Sequence, residues 1–124
     1  MIEVQNLEKT YTTRQGDPVH ALTDVNLAIR PGEFVSIVGP SGCGKSTLMR
    51  ILAGLDTQSK GSVIVNGRPV NGPRPDVGVV FQQATLLAWK TVLENVLLPA
   101  TLRGVDQVKR GRELLEMVSL SSFA

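Results

Sequence analysis

An α/β fold is what this sequence predicts, and three observations carry it. Residues 34–38 read Phe-Val-Ser-Ile-Val, a β-branched and nearly all-apolar run suited to a strand buried on both faces. Directly after it comes Gly39-Pro40-Ser41-Gly42-Cys43-Gly44-Lys45-Ser46-Thr47, a complete G-x-x-x-x-G-K-[ST] loop. Beyond the loop Leu48, Ile51, Leu52 and Leu55 recur at i, i+3, i+4 and i+7, which makes one helical face apolar. Strand, glycine loop and helix in that order indicate the P-loop NTPase class, whose ligand is a nucleoside triphosphate with magnesium.

The chemistry needs those residue types at that spacing. Successive N–H groups of a glycine-rich loop converge on phosphate oxygens, and the helix that follows adds its unpaired N–H groups and positive dipole end. Gly39, Gly42 and Gly44 permit close backbone approach; Pro40, Ser41 and Cys43 complete the curve. Lys45 is expected to set its ammonium against the β- and γ-phosphates, and the Ser46 hydroxyl to coordinate Mg²⁺. Thr47 offers a hydroxyl nearer the α-phosphate.

Around this core the elements follow in order. Residues 2–13 alternate in part, with Ile2, Val4 and Leu7 set against Glu3, Gln5 and Glu8, and read as a strand. Residues 14–18 form a turn, and 21–29 alternate again up to Pro31 and Gly32, so the two segments predict an antiparallel ribbon. Asn66 and Gly67 between β-branched residues give a hairpin signal. Residues 72–75 are a loop and 77–81 a further strand. Thr91 and Glu94 make a T-x-x-E capping box that opens a helix; Pro99 is expected to kink or end its first part and Gly104 to stop it. Val108, Leu114, Leu115 and Val118 mark a second amphipathic helix.

Composition narrows the class. With 124 residues, one domain is the natural expectation. Thirteen basic against eleven acidic side chains leave a net +2, with no Lys/Arg run or basic–aromatic interleaving, so nucleic acid is not an expected partner. The single cysteine, Cys43, excludes an internal disulfide framework and fits a reducing compartment. Its place in the phosphate loop predicts that alkylation competes with nucleotide. No secretory leader and no apolar stretch of bilayer length is evident, which leads to the expectation of a cytoplasmic chain. His20 has no partner at metal-ligand spacing and reads as structural.

Four features at consistent spacing then resemble the nucleotide-binding subunit of ATP-binding cassette (ABC) transporters along the whole chain. They are Leu7-Glu8-Lys9-Thr10-Tyr11, the lead-in Val25 to Glu33, the loop and helix from Gly39 to Leu55, and Val79-Val80-Phe81-Gln82 followed by Leu86-Leu87-Ala88-Trp89-Lys90-Thr91-Val92. The last stretch is most similar to importers of the nitrate, sulfonate and taurine type, although Ala88 stands where that group has proline. The resemblance implies ATP and Mg²⁺ as ligands, with Tyr11 stacking on adenine and Gln82 placing its amide on Mg²⁺ or on the attacking water; Gln83 is the neighbouring register. For Trp89 it implies a place near a membrane partner's coupling helix, and packing within its own domain is an equal reading. The implied partners are a transmembrane permease subunit, a second nucleotide-binding subunit in a head-to-tail dimer, and a periplasmic or extracellular solute-binding protein. The implied location is peripheral, on the inner face of the membrane.

The resemblance also organises the chain as an incomplete ABC-type nucleotide-binding domain over 1–124. Residues 1–90 hold the β subdomain, the phosphate-loop core and the Gln82 loop, and 91–124 begin the helical subdomain. No Leu-Ser-Gly-Gly-Gln-type signature and no apolar strand ending in Asp-Glu occurs in residues 1–124. The Asp that supports Mg²⁺ and the Glu that acts as general base are therefore not among them, and these residues alone are expected not to hydrolyse ATP. The competing classes are a nucleotide-binding module without turnover and another P-loop enzyme such as a kinase or GTPase. An Asn-Lys-x-Asp guanine-reading motif is lacking.

Overall fold

The computed structural model describes residues 1–123; Ala124, the last residue of the expected 91–124 portion, lies outside them. The chain divides into two compact units, Met1–Val79 and the residues from Val80 onward. That division falls ahead of the boundary at residue 90 expected from sequence.

In the first unit, β1 (Ile2–Thr12) and β2 (Pro18–Ile29) form the expected antiparallel ribbon. It is closed by a turn in which Thr13 N–H donates to Asp17 O at 2.9 Å. The ribbon is not regular. Asn6 and Asp24 hold positive φ angles of 47° and 45°, and the pairing shifts register beside them. Side chains repair the interruption: Asn6 N–H donates to Asn26 Oδ1 at 2.9 Å and Asn6 Nδ2 to Asp24 Oδ1 at 3.0 Å. On the other edge of β1 lies β3 (Lys60–Val65), which turns at Asn66 and Gly67 into the short β4 (Arg68–Pro69). Both turn residues have positive φ, 51° and 73°, as a type I′ hairpin requires. The sheet order is β2-β1-β3-β4, antiparallel throughout.

One face of this sheet carries α1 (Lys45–Leu52). Leu48, Ile51 and Leu52 join Val4, Leu7, Leu22, Val63, Val65 and Val70 in a single buried cluster. Leu55, expected on the same helical face, is exposed. Gly54 takes φ 73° and ends the helix first: Leu55 N–H bonds Arg50 O and Gly54 N–H bonds Ile51 O, the two bonds of a Schellman cap. A Cβ at position 54 would lie 2.0 Å from Gly72 O, so glycine is required there on steric as well as conformational grounds.

Two expected strands do not form. Residues 34–38 and 77–81 carry no ladder among the described residues, and Phe34 and Val38 are each 92 % exposed. The buried strand ahead of the loop is thus corrected to an exposed apolar segment. Composition suited both runs to burial, but a strand exists only where a neighbour takes its N–H and C=O groups.

In the second unit, Thr91 caps α2 (Val92–Leu102): its hydroxyl accepts from Glu94 N–H at 3.2 Å, and the Glu94 carboxylate accepts from Thr91 N–H at 2.8 Å. Pro99 neither ends nor divides the helix; Gly104 at φ 68° does end it, as expected. Helix α3 (Val108–Met117) buries Leu115 and packs on α2 at Gly111, whose missing Cβ leaves room for Leu93 and Leu97. Val118 lies past the helix end and is exposed. A single 3₁₀ turn, Ser121–Phe123, follows.

Candidate nucleotide site

The phosphate loop is anchored on the packed side. Gly44, the residue before α1, holds φ 97°, and a Cβ there would stand 2.5 Å from Ala21 O and 2.9 Å from Leu22 Cδ2 of β2. Only glycine brings the loop this close to the sheet. No side chain caps α1, and the first helical N–H with an acceptor is that of Leu48, on Gly44 O at 3.0 Å. The N–H groups of Lys45, Ser46 and Thr47 are therefore left to whatever sits at the helix head.

Lys45 curls back over the loop. Its Nζ donates to Gly39 O and Pro40 O, each at 2.6 Å, and to Cys43 Sγ at 3.4 Å. An ammonium held only by carbonyl oxygens and a thiol has no countercharge, so a phosphate oxygen is the better partner. Ser41, Gly42, Cys43 and Ser46 are exposed along the same loop. Cys43 is a free thiol. The residues fit a polyphosphate with its cation: uncapped helix N–H groups, one ammonium without a countercharge, and a serine hydroxyl at the helix head.

Tyr11 lies on β1 opposite Val19, at the end of the ribbon where Ala21 and Leu22 meet the loop. It is 38 % exposed, and its position is set by its neighbours. The hydroxyl donates to Asp56 Oδ2 at 2.7 Å, while Lys9 Nζ sits over the ring, 4.8 Å from its centre. Lys9 also pairs with Asp56 Oδ1 at 2.7 Å and donates to Thr57 O at 2.6 Å. The carboxylate of Asp56 is held well below its ordinary 3.8, at about 2. The hydrogen bond from Lys9 is the largest cause, followed by that from Tyr11. Sequence gave no sign of Lys9 or Asp56 as site residues, because they meet across 47 positions of chain.

The other candidates each sit within their own unit. Gln82, at a bend in the second unit, is exposed, as is Gln83, and the Gln82 amide bonds to no described residue. Trp89 is 80 % exposed on a turn in which Lys90 N–H reaches Leu87 O at 3.0 Å. Asn95 holds that turn. It accepts from Leu87 N–H at 2.8 Å and donates to the carbonyls of Leu87, Lys90 and Thr91. The role of Asn95 as a loop lock could not be read from spacing. His20 pairs with the Thr10 hydroxyl at 3.0 Å, a contact consistent with a structural role.

Comparison with known proteins agrees with this geometry. Residues 22–124 match the family model described as ABC transporter. An uncharacterized ABC transporter ATP-binding protein from Methanocaldococcus jannaschii is 43 % identical over 98 % of this chain and 46 % of its own length. The taurine import ATP-binding protein of Pelagibacter ubique is 42 % identical, over 96 % of this chain and 46 % of its own. The chain thus spans about half the length of the curated relatives it matches. Among solved structures, an ATP-binding cassette in a dimeric post-hydrolysis state with ADP and phosphate superposes with a TM-score of 0.87 at 39 % identity, covering 100 % of this chain and 60 % of that one. By its loop, its ribbon and these matches, the chain belongs to the ABC transporter family.

Proposed function

We propose that this chain is the ATP-binding part of an import-type ABC transporter. The single observation that carries the reading is the Lys45 ammonium, folded over loop 39–47 on carbonyl oxygens with no countercharge, at the uncapped head of α1. In this reading the loop N–H groups and Lys45 hold the β- and γ-phosphates, Thr47 lies nearer the α-phosphate, and Tyr11 carries the adenine. Ser46 and Gln82 would hold Mg²⁺, which when bound would offset the phosphate charge. In the same reading residues 1–124, in which no apolar strand ends in Asp-Glu, hold ATP without hydrolysing it when taken by themselves.

The import assignment draws on relatives such as the taurine import protein. A membrane permease, a second nucleotide-binding subunit and a solute-binding protein are the partners it entails. No described helix is long and apolar enough to cross a membrane; attachment at the inner face would come through the permease.

Lys45→Ala tests the reading directly. Titration with Mg·ATP in a calorimeter is expected to show at least a ~10-fold loss of affinity, the scale of one charge-assisted phosphate contact. Unchanged binding sinks the phosphate-loop assignment. Labelling of Cys43 by a maleimide should be slowed by ATP in the unmutated chain. A preference for GTP, or phosphate transfer to an added acceptor, would favour another P-loop enzyme.

A further inference from the structure

The contacts around Tyr11 form a bracket. The ring is tied at its far end, where the hydroxyl donates to Asp56 Oδ2 at 2.7 Å. The other carboxylate oxygen is occupied by Lys9 Nζ at 2.7 Å and by the N–H of Thr57 at 2.8 Å. Asp56 therefore has little freedom to turn: three donors, from two strand residues and its own backbone neighbour, converge on it. Lys9 Nζ also stands over one face of the ring, 4.8 Å from its centre. That face is covered, and an incoming base has only the other.

The chain geometry explains how Asp56 arrives there. The Schellman cap at Gly54 reverses the backbone directly after α1 and delivers residue 56 to the edge of β1. The same short helix has the phosphate loop at its head, with Gly44 pressed on β2. One rigid element thus carries the phosphate site at one end and the tether of the ring beyond the other.

We propose that Asp56 is a positioning residue for nucleotide recognition: through the Tyr11 hydroxyl and Lys9 it holds the ring at one orientation, with a single face open to the base. The proposal rests on the reading of Tyr11 as the base platform. A phenol that need not be ordered on binding presents its face at lower entropic cost than a freely rotating one. In this reading Asp56 braces the ring and contacts neither phosphate nor base, so its effect should reach only the part of the affinity that comes from the base.

The test compares Mg·ATP with Mg·tripolyphosphate, which has the phosphates and no base, by calorimetry on the whole chain. Tyr11→Ala is expected to lose roughly 5- to 150-fold in ATP affinity, the range of one base–aromatic stack, and nothing for tripolyphosphate. Asp56→Ala should lose about 3- to 10-fold for ATP alone, and Asp56→Asn, which keeps an oxygen to accept from the hydroxyl, should recover part of it. Tyr11→Phe cuts the same tie while keeping both the ring and the Asp56 charge; it should mimic Asp56→Ala, and adding Asp56→Ala to it should cost little more. If Asp56→Ala folds poorly, Tyr11→Phe carries the test alone.

The outcomes separate cleanly. If Tyr11→Ala leaves ATP binding intact, the platform reading itself falls. If Tyr11→Ala weakens ATP while Tyr11→Phe and Asp56→Ala do not, the platform stands and the positioning role is wrong. Equal losses for ATP and tripolyphosphate in Asp56→Ala would mean that Asp56 only braces α1, and would also overturn the proposal.

Discussion

The helix that leaves the phosphate loop and the segment that enters it both carry large apolar side chains, yet these meet opposite fates. Leu48, Ile51 and Leu52 of α1 are buried against Val4, Leu7 and Val63. Phe34 and Val38 on the entering side are each 92 % exposed, and Val35 and Ile37 about 40 %. The difference is not one of hydrophobicity. A helix completes its backbone bonds within itself and needs only a face to lie on. A strand needs neighbours in register, and residues 34–38 have none among those described. The phosphate loop therefore runs from a lead-in that pairs with no strand to a side fixed against β2 at Gly44.

The largest expected effect probes that contrast. Ile51→Ala empties a fully buried position and should cost about 2–5 kcal/mol in chemical denaturation. Phe34→Ser, a more drastic change on paper, should stay within about 0.5 kcal/mol because the ring is already in solvent. If Phe34→Ser destabilised the chain as much as Ile51→Ala, the two sides of the loop would not differ as argued.

A second substitution sharpens where the fixed side begins. Gly44→Ala puts a methyl 2.5 Å from Ala21 O at a left-handed φ of 97°. Strain and clash together should cost about 1–3 kcal/mol. They should also lift the loop off β2, so ATP affinity ought to fall with stability. Gly42→Ala meets nothing within 4 Å and bears only the conformational strain of φ 78°, so its loss should be smaller. Equal losses at the two positions would remove Gly44 as the anchor.

How much of this could be read from the chain follows the same division. The helix behind the glycine loop, the capping box at Thr91 and Glu94, the Asn66 and Gly67 turn and the stop at Gly104 are local codes, each settled within a few residues, and each forms as read. Residues 34–38 and 77–81 had the right composition for strands, but pairing is decided by chain elsewhere. Leu55 fitted the helical period and was overruled one residue earlier by Gly54. The Lys9, Tyr11 and Asp56 bracket was illegible for a related reason. Tyr11 was identified by its resemblance, but its partner is 45 positions away and no spacing rule reaches that far.

Acid should dismantle the bracket before the core. Asp56 titrates at about 2 when folded against an ordinary 3.8. Its contribution is therefore complete above pH ~4 and fades as pH falls through about 2, on the order of 2 kcal/mol at most. Asp76, held at about 2 by Arg74 and then Asn66, fades over the same window. Replacing Asp56 by Asn should flatten part of the acid limb of a stability–pH curve and leave the neutral plateau lower. An unchanged limb would show that the carboxylate is not held by Lys9 and Tyr11 in solution.

The smallest effect belongs to the second unit and shows what a purely local code is worth. Thr91→Ala removes the hydroxyl that accepts from Glu94 N–H, and with it one half of the capping box. The expected cost is about 1 kcal/mol, typical of an N-cap. Glu94 is itself held below its ordinary value by the bond from Thr91 N–H, so protonating it in acid should remove the other half. Thr91→Ser keeps an acceptor and should restore most of the loss, whereas Ile51→Val, a far milder change in the core than Ile51→Ala, should still cost 0.5–1.5 kcal/mol by the usual scale of such truncations. The two belong to different mechanisms and different units, so their effects should add. If the double variant Thr91→Ala with Ile51→Val lost markedly more or less than the sum, the helix start would depend on the packed sheet, and the separation between locally coded and pairing-dependent regions would not hold.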